Sequence, residues 1–146
     1  MKFKNMMTNT IYPCLWFDGQ AKAAAVYYCS IFKDSRITSE NPIVVHFELN
    51  GTHFMGLNGG PMYQFSPATS FVIECDNQEE IDYYWDKLGA EGCYSKCGWL
   101  DDKFGVSWQV VPKILHQLMS DPEKAPRVMD AFLKMTKFDI QALLDA

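Results

Sequence analysis

One short segment of this chain puts a histidine beside a carboxylate. His46 and Glu48 stand two residues apart in Val44-Val-His-Phe-Glu-Leu49. Residues two apart in a strand share a face, so an imidazole and a carboxylate lie side by side. Such a pair can fix a histidine tautomer and do general acid-base work near neutral pH. His46 and Glu48 are therefore the catalytic candidates, and a plain solvated pair is the alternative. His53, just after the Asn50-Gly51 turn, is expected to be exposed, and His116 has no evident partner. Cys14, Cys29 and Cys75 lie in apolar segments and read as small buried hydrophobes. Cys93 and Cys97 lack a second Cys/His pair at zinc spacing. Cys97 has only Lys96 nearby to activate it, so it reads as a structural thiol. Asp101-Asp102-Lys103 reads as a charged turn. Asn58-Gly59-Gly60-Pro61 reads as a linker whose backbone amides are an alternative anion site.

The elements that hold these residues come from a duplication. Tyr12-Pro-Cys-Leu-Trp-Phe-Asp18-Gly-Gln20 lies over Ser70-Phe-Val-Ile-Glu-Cys-Asp76-Asn-Gln78, and both copies continue into a helical pattern with a Tyr-Tyr pair. Gly51-Thr-His-Phe-Met-Gly-Leu57 lies over Gly105-Val-Ser-Trp-Gln-Val-Val111. Alternation and helical periodicity predict a strand at 11–17, a helix at 20–32 and strands at 36–40, 43–50 and 52–58. Asn50-Gly51 is a two-residue hairpin turn. The second copy predicts a strand at 69–75, a helix at 78–88 capped by Asn77 with Glu80 in a capping box, and strands at 93–96, 97–102 and 106–112. The modules span 10–61 and 68–112. Residues 113–146 are a helical extension without a repeat counterpart. In it, Ile114 to Leu118 form a short helix. A second helix starts at the Asp121-Pro122 cap and runs to about Met135, burying Val128, Met129, Phe132 and Leu133. A third begins at Asp139.

Composition bounds the class. The chain has 146 residues, 48% hydrophobic and 14% aromatic, with a formal charge of -5. It can bury the core of a single domain spanning 1–146. It is too aromatic for a disordered tail and too acidic for a nucleic-acid partner or an anionic lipid surface. The longest apolar runs, Ile11 to Phe17 and Ala23 to Cys29, fall well short of the roughly 20 residues of a membrane span. The polar start, from Met1 to Met7, lacks a signal-peptide core, with Met7 as an alternative start. The expected location is cytoplasmic, with reduced thiols and no membrane partner.

Two tandem β-α-β-β-β modules resemble the vicinal oxygen chelate superfamily, which includes glyoxalase I, extradiol dioxygenases and bleomycin-resistance proteins. The resemblance is closer to its PhnB-like branch. It rests on Tyr12-Pro-Cys-Leu-Trp-Phe-Asp-Gly-Gln-Ala, His46-Phe-Glu-Leu-Asn-Gly, Phe54-Met-Gly-Leu-Asn-Gly-Gly-Pro61, Cys97 to Pro112 and Asp121-Pro-Glu-Lys-Ala. It implies an α+β fold of two cupped mixed sheets with C-terminal helices, and a homodimer that binds a small molecule. It also implies the label 3-demethylubiquinone-9 3-methyltransferase, which is disfavoured. An S-adenosylmethionine enzyme usually has a glycine-rich strand-to-helix turn in an open parallel sheet, and the Gly59-Gly60 pair runs into Pro61.

The superfamily's four metal positions transfer to Tyr12, Met55, Ser70 and Gln109, with a one-residue slip open at Tyr12 and Met55. Only Gln109 is an ordinary ligand for a hard or borderline divalent ion, so the metal centre reads as degenerate and a divalent cofactor is disfavoured. The implied pocket is Tyr12, Cys14, Trp16, His46, Glu48, Met55, Ser70 and Gln109. The alternatives are a metal-dependent lyase, isomerase or dioxygenase, and a drug-sequestering resistance protein with acidic residues such as Glu48 and Glu74 in its crevice.

Overall fold

The computed structural model describes residues 10–146, and the expectations for Met1 to Met7 lie outside them. The chain forms two compact units, one ending at Gln64 and the other Phe65–Ala146. The first holds β1 (Cys14–Phe17), α1 (Ala21–Ile31), β2 (Arg36–Glu40), β3 (Val44–Leu49) and β4 (Thr52–Asn58). The second holds β5 (Ser70–Cys75), α2 (Gln78–Gly89), β6 (Cys93–Tyr94), β7 (Trp99–Asp101) and β8 (Ser107–Pro112), then α3 (Ile114–Met119), α4 (Ala125–Phe132) and α5 (Ile140–Asp145). The sheets run β1-β4-β3-β2 and β5-β8-β7-β6. In each, the first strand pairs parallel with the last and the remaining pairs are antiparallel. The fold is thus α+β, two mixed four-stranded sheets built by one repeated module, with C-terminal helices. Cys14 pairs with Met55 as Val72 pairs with Gln109, so the two copies are in register.

The strand ends differ from expectation for local reasons. Pro13 has no N–H to give, so β1 begins at Cys14, although the Pro13 carbonyl still accepts from Met55 N at 3.0 Å. Cys97 and Gly98 have φ of 57° and 79°, a left-handed conformation that no strand tolerates. Their N–H groups turn to Met135 O and Thr136 O, and β7 starts only at Trp99. Asn77 caps α2 by accepting from Glu80 N, while Glu80 reaches back to Asp76 N.

In the first unit, Ala21, Ala24, Ala25, Tyr28 and Ile31 of α1 are buried, as are Leu15, Phe17, Val45, Phe47 and Phe54 of the sheet. Tyr28 stacks on Phe47, and Phe47 on Phe54. Each large side chain so buried stabilises by about 1.5–3 kcal/mol. In the second unit, Ile81, Trp85 and Leu88 of α2 are buried with Leu100, Trp108 and Val110 of the strands and Val128, Phe138 and Leu143 of the tail. Gln78 ties that tail down: its Nε2 donates to Phe138 O and its Oε1 accepts from Ile140 N, each at 2.9 Å.

Several expectations are corrected. The second tail helix starts at Ala125, because Asp121 closes a turn in which its Oδ1 accepts from Glu123 N. The proline in its first turn is Pro126, and the helix ends at Phe132. Met129 and Leu133 are exposed because this short helix buries little besides Val128. Asp102 is not part of a solvated turn: it is 3% exposed. Its Oδ1 accepts from Phe104 N and Val106 N, and its Oδ2 from Trp108 Nε1 at 2.9 Å. Cys75 is buried as expected, whereas Cys29 is half-buried and Cys14 exposed.

Burial, with Glu80 and Asp76 nearby, pushes the Cys75 thiol up to about 12, only partly opposed by Lys113. The folded chain therefore holds a proton that the unfolded chain releases from about pH 9, the ordinary thiol value here. Between these values the folded state binds more protons, so stability is intact below pH 9 and falls as pH rises toward 12. Urea unfolding at pH 8, 9.5 and 11 is expected to show this loss, and Cys75→Ala is expected to flatten it. An equally steep loss in the variant places the sensitivity elsewhere.

Candidate functional site

In the first unit, alternation divides the sheet. Leu15, Phe17, Val45, Phe47, Leu49 and Phe54 are buried on the α1 face. Cys14, Trp16, His46, Glu48, His53 and Met55 lie on the opposite face, where His46 pairs across from Met55, Glu48 from His53 and Met55 from Cys14. On this face His46 Nδ1 and His53 Nε2 share a hydrogen bond of 3.0 Å. The Tyr12 ring lies 4.2 Å from the His53 ring and 6.1 Å from that of His46, centre to centre. Glu48 does not join them by a hydrogen bond; its Oε1 accepts from Arg36 Nε at 3.3 Å. His53 is thus half-buried and paired, not exposed. The sequence signals that His53 shares this face, though not which residue becomes its partner. A two-residue turn at Asn50-Gly51 forces 49 opposite 52 and hence 48 opposite 53.

Trp16 closes one end of the face. Its Nε1 donates to Gly60 O at 2.8 Å, and its ring meets Tyr63 edge-on at 4.9 Å. A Cβ at Gly59 would fall 2.4 Å from the Trp16 ring, so only glycine fits there. Gly59 N and Gly60 N both donate to Phe17 O. These amides are therefore spent within the fold, which removes the anion-binding alternative for that loop. Cys14 lies beside Met55, and partial desolvation keeps its thiol above the ordinary value. It is protonated at neutral pH and a poor nucleophile.

The second unit repeats the face with other chemistry. Ser70, Val72 and Glu74 of β5, Trp99 and Asp101 of β7, and Ser107, Gln109 and Val111 of β8 share the side opposite Trp108 and Val110. Gln109 Nε2 donates to Ser70 Oγ at 3.0 Å, and Ser107 Oγ donates to Asp101 Oδ1 at 2.7 Å. By register, the His46, His53 and Met55 positions of the first copy become Trp99, Ser107 and Gln109 here. The structure therefore puts Tyr12, Cys14, Trp16, His46, Glu48 and Met55 together on one face, and Ser70 and Gln109 together on another. Tyr12, Met55, Ser70 and Gln109, the four positions expected from the resemblance, offer a phenol, a thioether, a hydroxyl and a carboxamide. That set does not suit a hard or borderline divalent ion. Among the described residues no three His, Cys, Asp or Glu side chains are grouped to hold a metal.

A repeated β-α-β-β-β module with a parallel first-to-last strand pair is the architecture of vicinal oxygen chelate proteins. The family model described as 3-demethylubiquinone-9 3-methyltransferase matches residues 9–111. The PhnB protein of Bacillus cereus, which carries the same methyltransferase description, is 32% identical, with a TM-score of 0.66 over 71% of this chain and 99% of its own. Two further structures share the fold. Protein PA1353 of Pseudomonas aeruginosa is 18% identical, with a TM-score of 0.59 over 70% of this chain and 96% of its own. A glyoxalase-related enzyme of Fulvimarina pelagi is 12% identical, with a TM-score of 0.52 over 73% and 90%. No curated protein matches. The chain belongs to the family named for 3-demethylubiquinone-9 3-methyltransferase, the PhnB-like branch of the vicinal oxygen chelate superfamily.

Proposed function

We propose that this chain binds a small organic molecule with a flat apolar body, using the sheet face that carries Tyr12, Trp16, His46, His53 and Met55. The observation that carries the reading is the His46–His53 hydrogen bond beneath the Tyr12 ring. A polar pair against an aromatic ring supports this reading, because ligand sites combine a few polar anchors with aromatic walls. In the second unit, the Ser70–Gln109 hydrogen bond is proposed as a polar anchor on that unit's own sheet face. The protein acts as a cytoplasmic homodimer in this reading. No helix among the described residues is long and apolar enough to cross a membrane.

The other readings have less support. The donor set at Tyr12, Met55, Ser70 and Gln109, the positions that the resemblance implies, weighs against a metal-dependent lyase, isomerase or dioxygenase. Sequestration of a cationic drug would draw on Glu48 and Glu74; Glu48 is already paired with Arg36, which leaves this reading the exposed Glu74 of the second unit. Methyl transfer, as the family name has it, usually uses an open parallel sheet with a glycine-rich turn, and the described residues of both units form mixed four-stranded sheets instead.

The test is ligand-observed NMR with a library of aromatic fragments. His46→Ala is expected to lose at least about tenfold in affinity for the hits, as for a buried hydrogen-bonding anchor, with Tm nearly unchanged. A large fall in Tm with unchanged binding places His46 in the fold and overturns the reading.

A further inference from the structure

The His46–His53 contact has a consequence of its own. The two nitrogens are 3.0 Å apart and the ring centres 5.2 Å apart. The difference is about two ring radii, so the rings meet head-on. A shared metal would need both lone pairs turned toward one side; here they point at each other, which is the geometry of an N–H···N bond. One nitrogen donates and the other accepts.

This fixes the tautomers jointly. If His46 Nδ1 carries the proton, His53 Nε2 is bare and His53 carries its own proton on Nδ1. If the shared proton sits on His53 Nε2, His46 carries its proton on Nε2. Both rings are then the same tautomer, and one outer nitrogen is a base while the other is a donor. Among the described residues no other hydrogen bond or ion pair involves either ring, and no buried side-chain nitrogen or oxygen lacks a partner. The outer nitrogens, His46 Nε2 and His53 Nδ1, are therefore open to solvent or ligand. Around them stand the Tyr12 ring, Met55 and a Glu48 held by Arg36.

We propose that His46 and His53 act as one acid-base relay whose substrate class is an aromatic molecule with an enolisable carbonyl. This rests on the ligand-binding reading above. In the forward step the C–H bond of the ligand breaks and its proton passes to the bare outer nitrogen. The electron pair enters the carbon–carbon bond, and the carbonyl becomes an enolate oxygen. The shared proton crosses to the other ring, and the outer proton of that ring leaves to water. Water returns one proton to the enolate oxygen, so the ligand leaves as its enol. The dyad, now the opposite tautomer, runs the next transfer in reverse or resets through water.

Two measurements on the full chain test this. Imidazole nitrogen NMR of the free protein is expected to show His46 and His53 in the same tautomer, with a through-bond signal across the shared proton. Phenylpyruvate in heavy water is the activity probe. Wild type is expected to exchange its benzylic hydrogens about 100-fold faster than the His46→Gln/His53→Gln double variant, the scale of one general acid-base group. Each single variant should lose nearly as much as the double, because a relay fails as a unit. Opposite tautomers in the two rings overturn the dyad. Matched tautomers with exchange no faster in wild type than in the double variant overturn the relay. Phenylpyruvate-induced shifts of the Trp16 indole signal judge the binding reading separately.

Discussion

Asp102→Ala is expected to destabilise the protein by about 4 kcal/mol. The carboxylate is 3% exposed and serves three donors, the backbone N–H groups of Phe104 and Val106 and the indole of Trp108. Removing it orphans the buried N–H groups of Val106 and the Trp108 indole and leaves the part-buried Phe104 N–H to water, and each unpaired buried donor costs about 1–3 kcal/mol. The loss falls on the β7–β8 hairpin and on Trp108, a core side chain 3% exposed. Asp102→Asn is a finer probe. Its amide oxygen can keep the two backbone donors, but its NH2 then faces the Trp108 N–H, donor against donor. The expected order of stability is wild type, then Asn, then Ala. Urea unfolding monitored by tryptophan fluorescence reads it, and the alanine variant should melt roughly 10 °C lower. An Ala variant within about 1 °C of wild type shows that water replaces the carboxylate at no cost.

Gly98→Ala is expected to cost about 3 kcal/mol, because two penalties add at this position. Its φ of 79° is one that a Cβ disfavours by about 1–2 kcal/mol. A Cβ there would also lie 2.5 Å from Val110 O and 2.8 Å from the Phe138 ring, and overpacking of that kind costs about 1–3 kcal/mol. The backbone cannot simply move away. Gly98 N donates to Thr136 O at 2.8 Å, and Gly98 O accepts from Val110 N at 2.7 Å. The residue thus joins β8 to the segment leading into α5. Hydrogen exchange is expected to rise in 135–143 and at Val110 while α1 and β1–β4, in the other unit, stay protected. Uniform exchange across both units instead means that the strain does not stay local.

Much of the fold is legible from side-chain pattern alone. The register of the β3–β4 hairpin follows from Asn50-Gly51, because a two-residue turn leaves one pairing. The helix α2 follows from Asn77, Glu80 and the spacing of Ile81, Trp85 and Leu88. Of the candidate site, alternation within a strand puts Cys14 with Trp16, and His46 with Glu48, while the strand pairing brings these pairs and Met55 onto one face of the sheet. The same rule groups His53 with Met55. Its position beside a turn, where side chains are ordinarily exposed, hides the role that the pairing gives it.

By itself, then, the sequence determined the repeat, the order of the elements and which side chains share a strand face. These depend on backbone geometry with periods of 2 and 3.6 residues, and on turns of two residues. Tertiary structure alone decided the partners. Asp102 stands at a position that the first copy fills with Leu49, and it became buried because the longer 102–106 turn leaves backbone donors that a side chain must satisfy. His46 met His53 in place of Glu48, because Arg36 on the neighbouring strand holds that carboxylate. Gln78 tied the tail to α2 across 60 residues of chain. Each choice is a competition among groups far apart in sequence for one hydrogen bond, and no local periodicity records which of them wins.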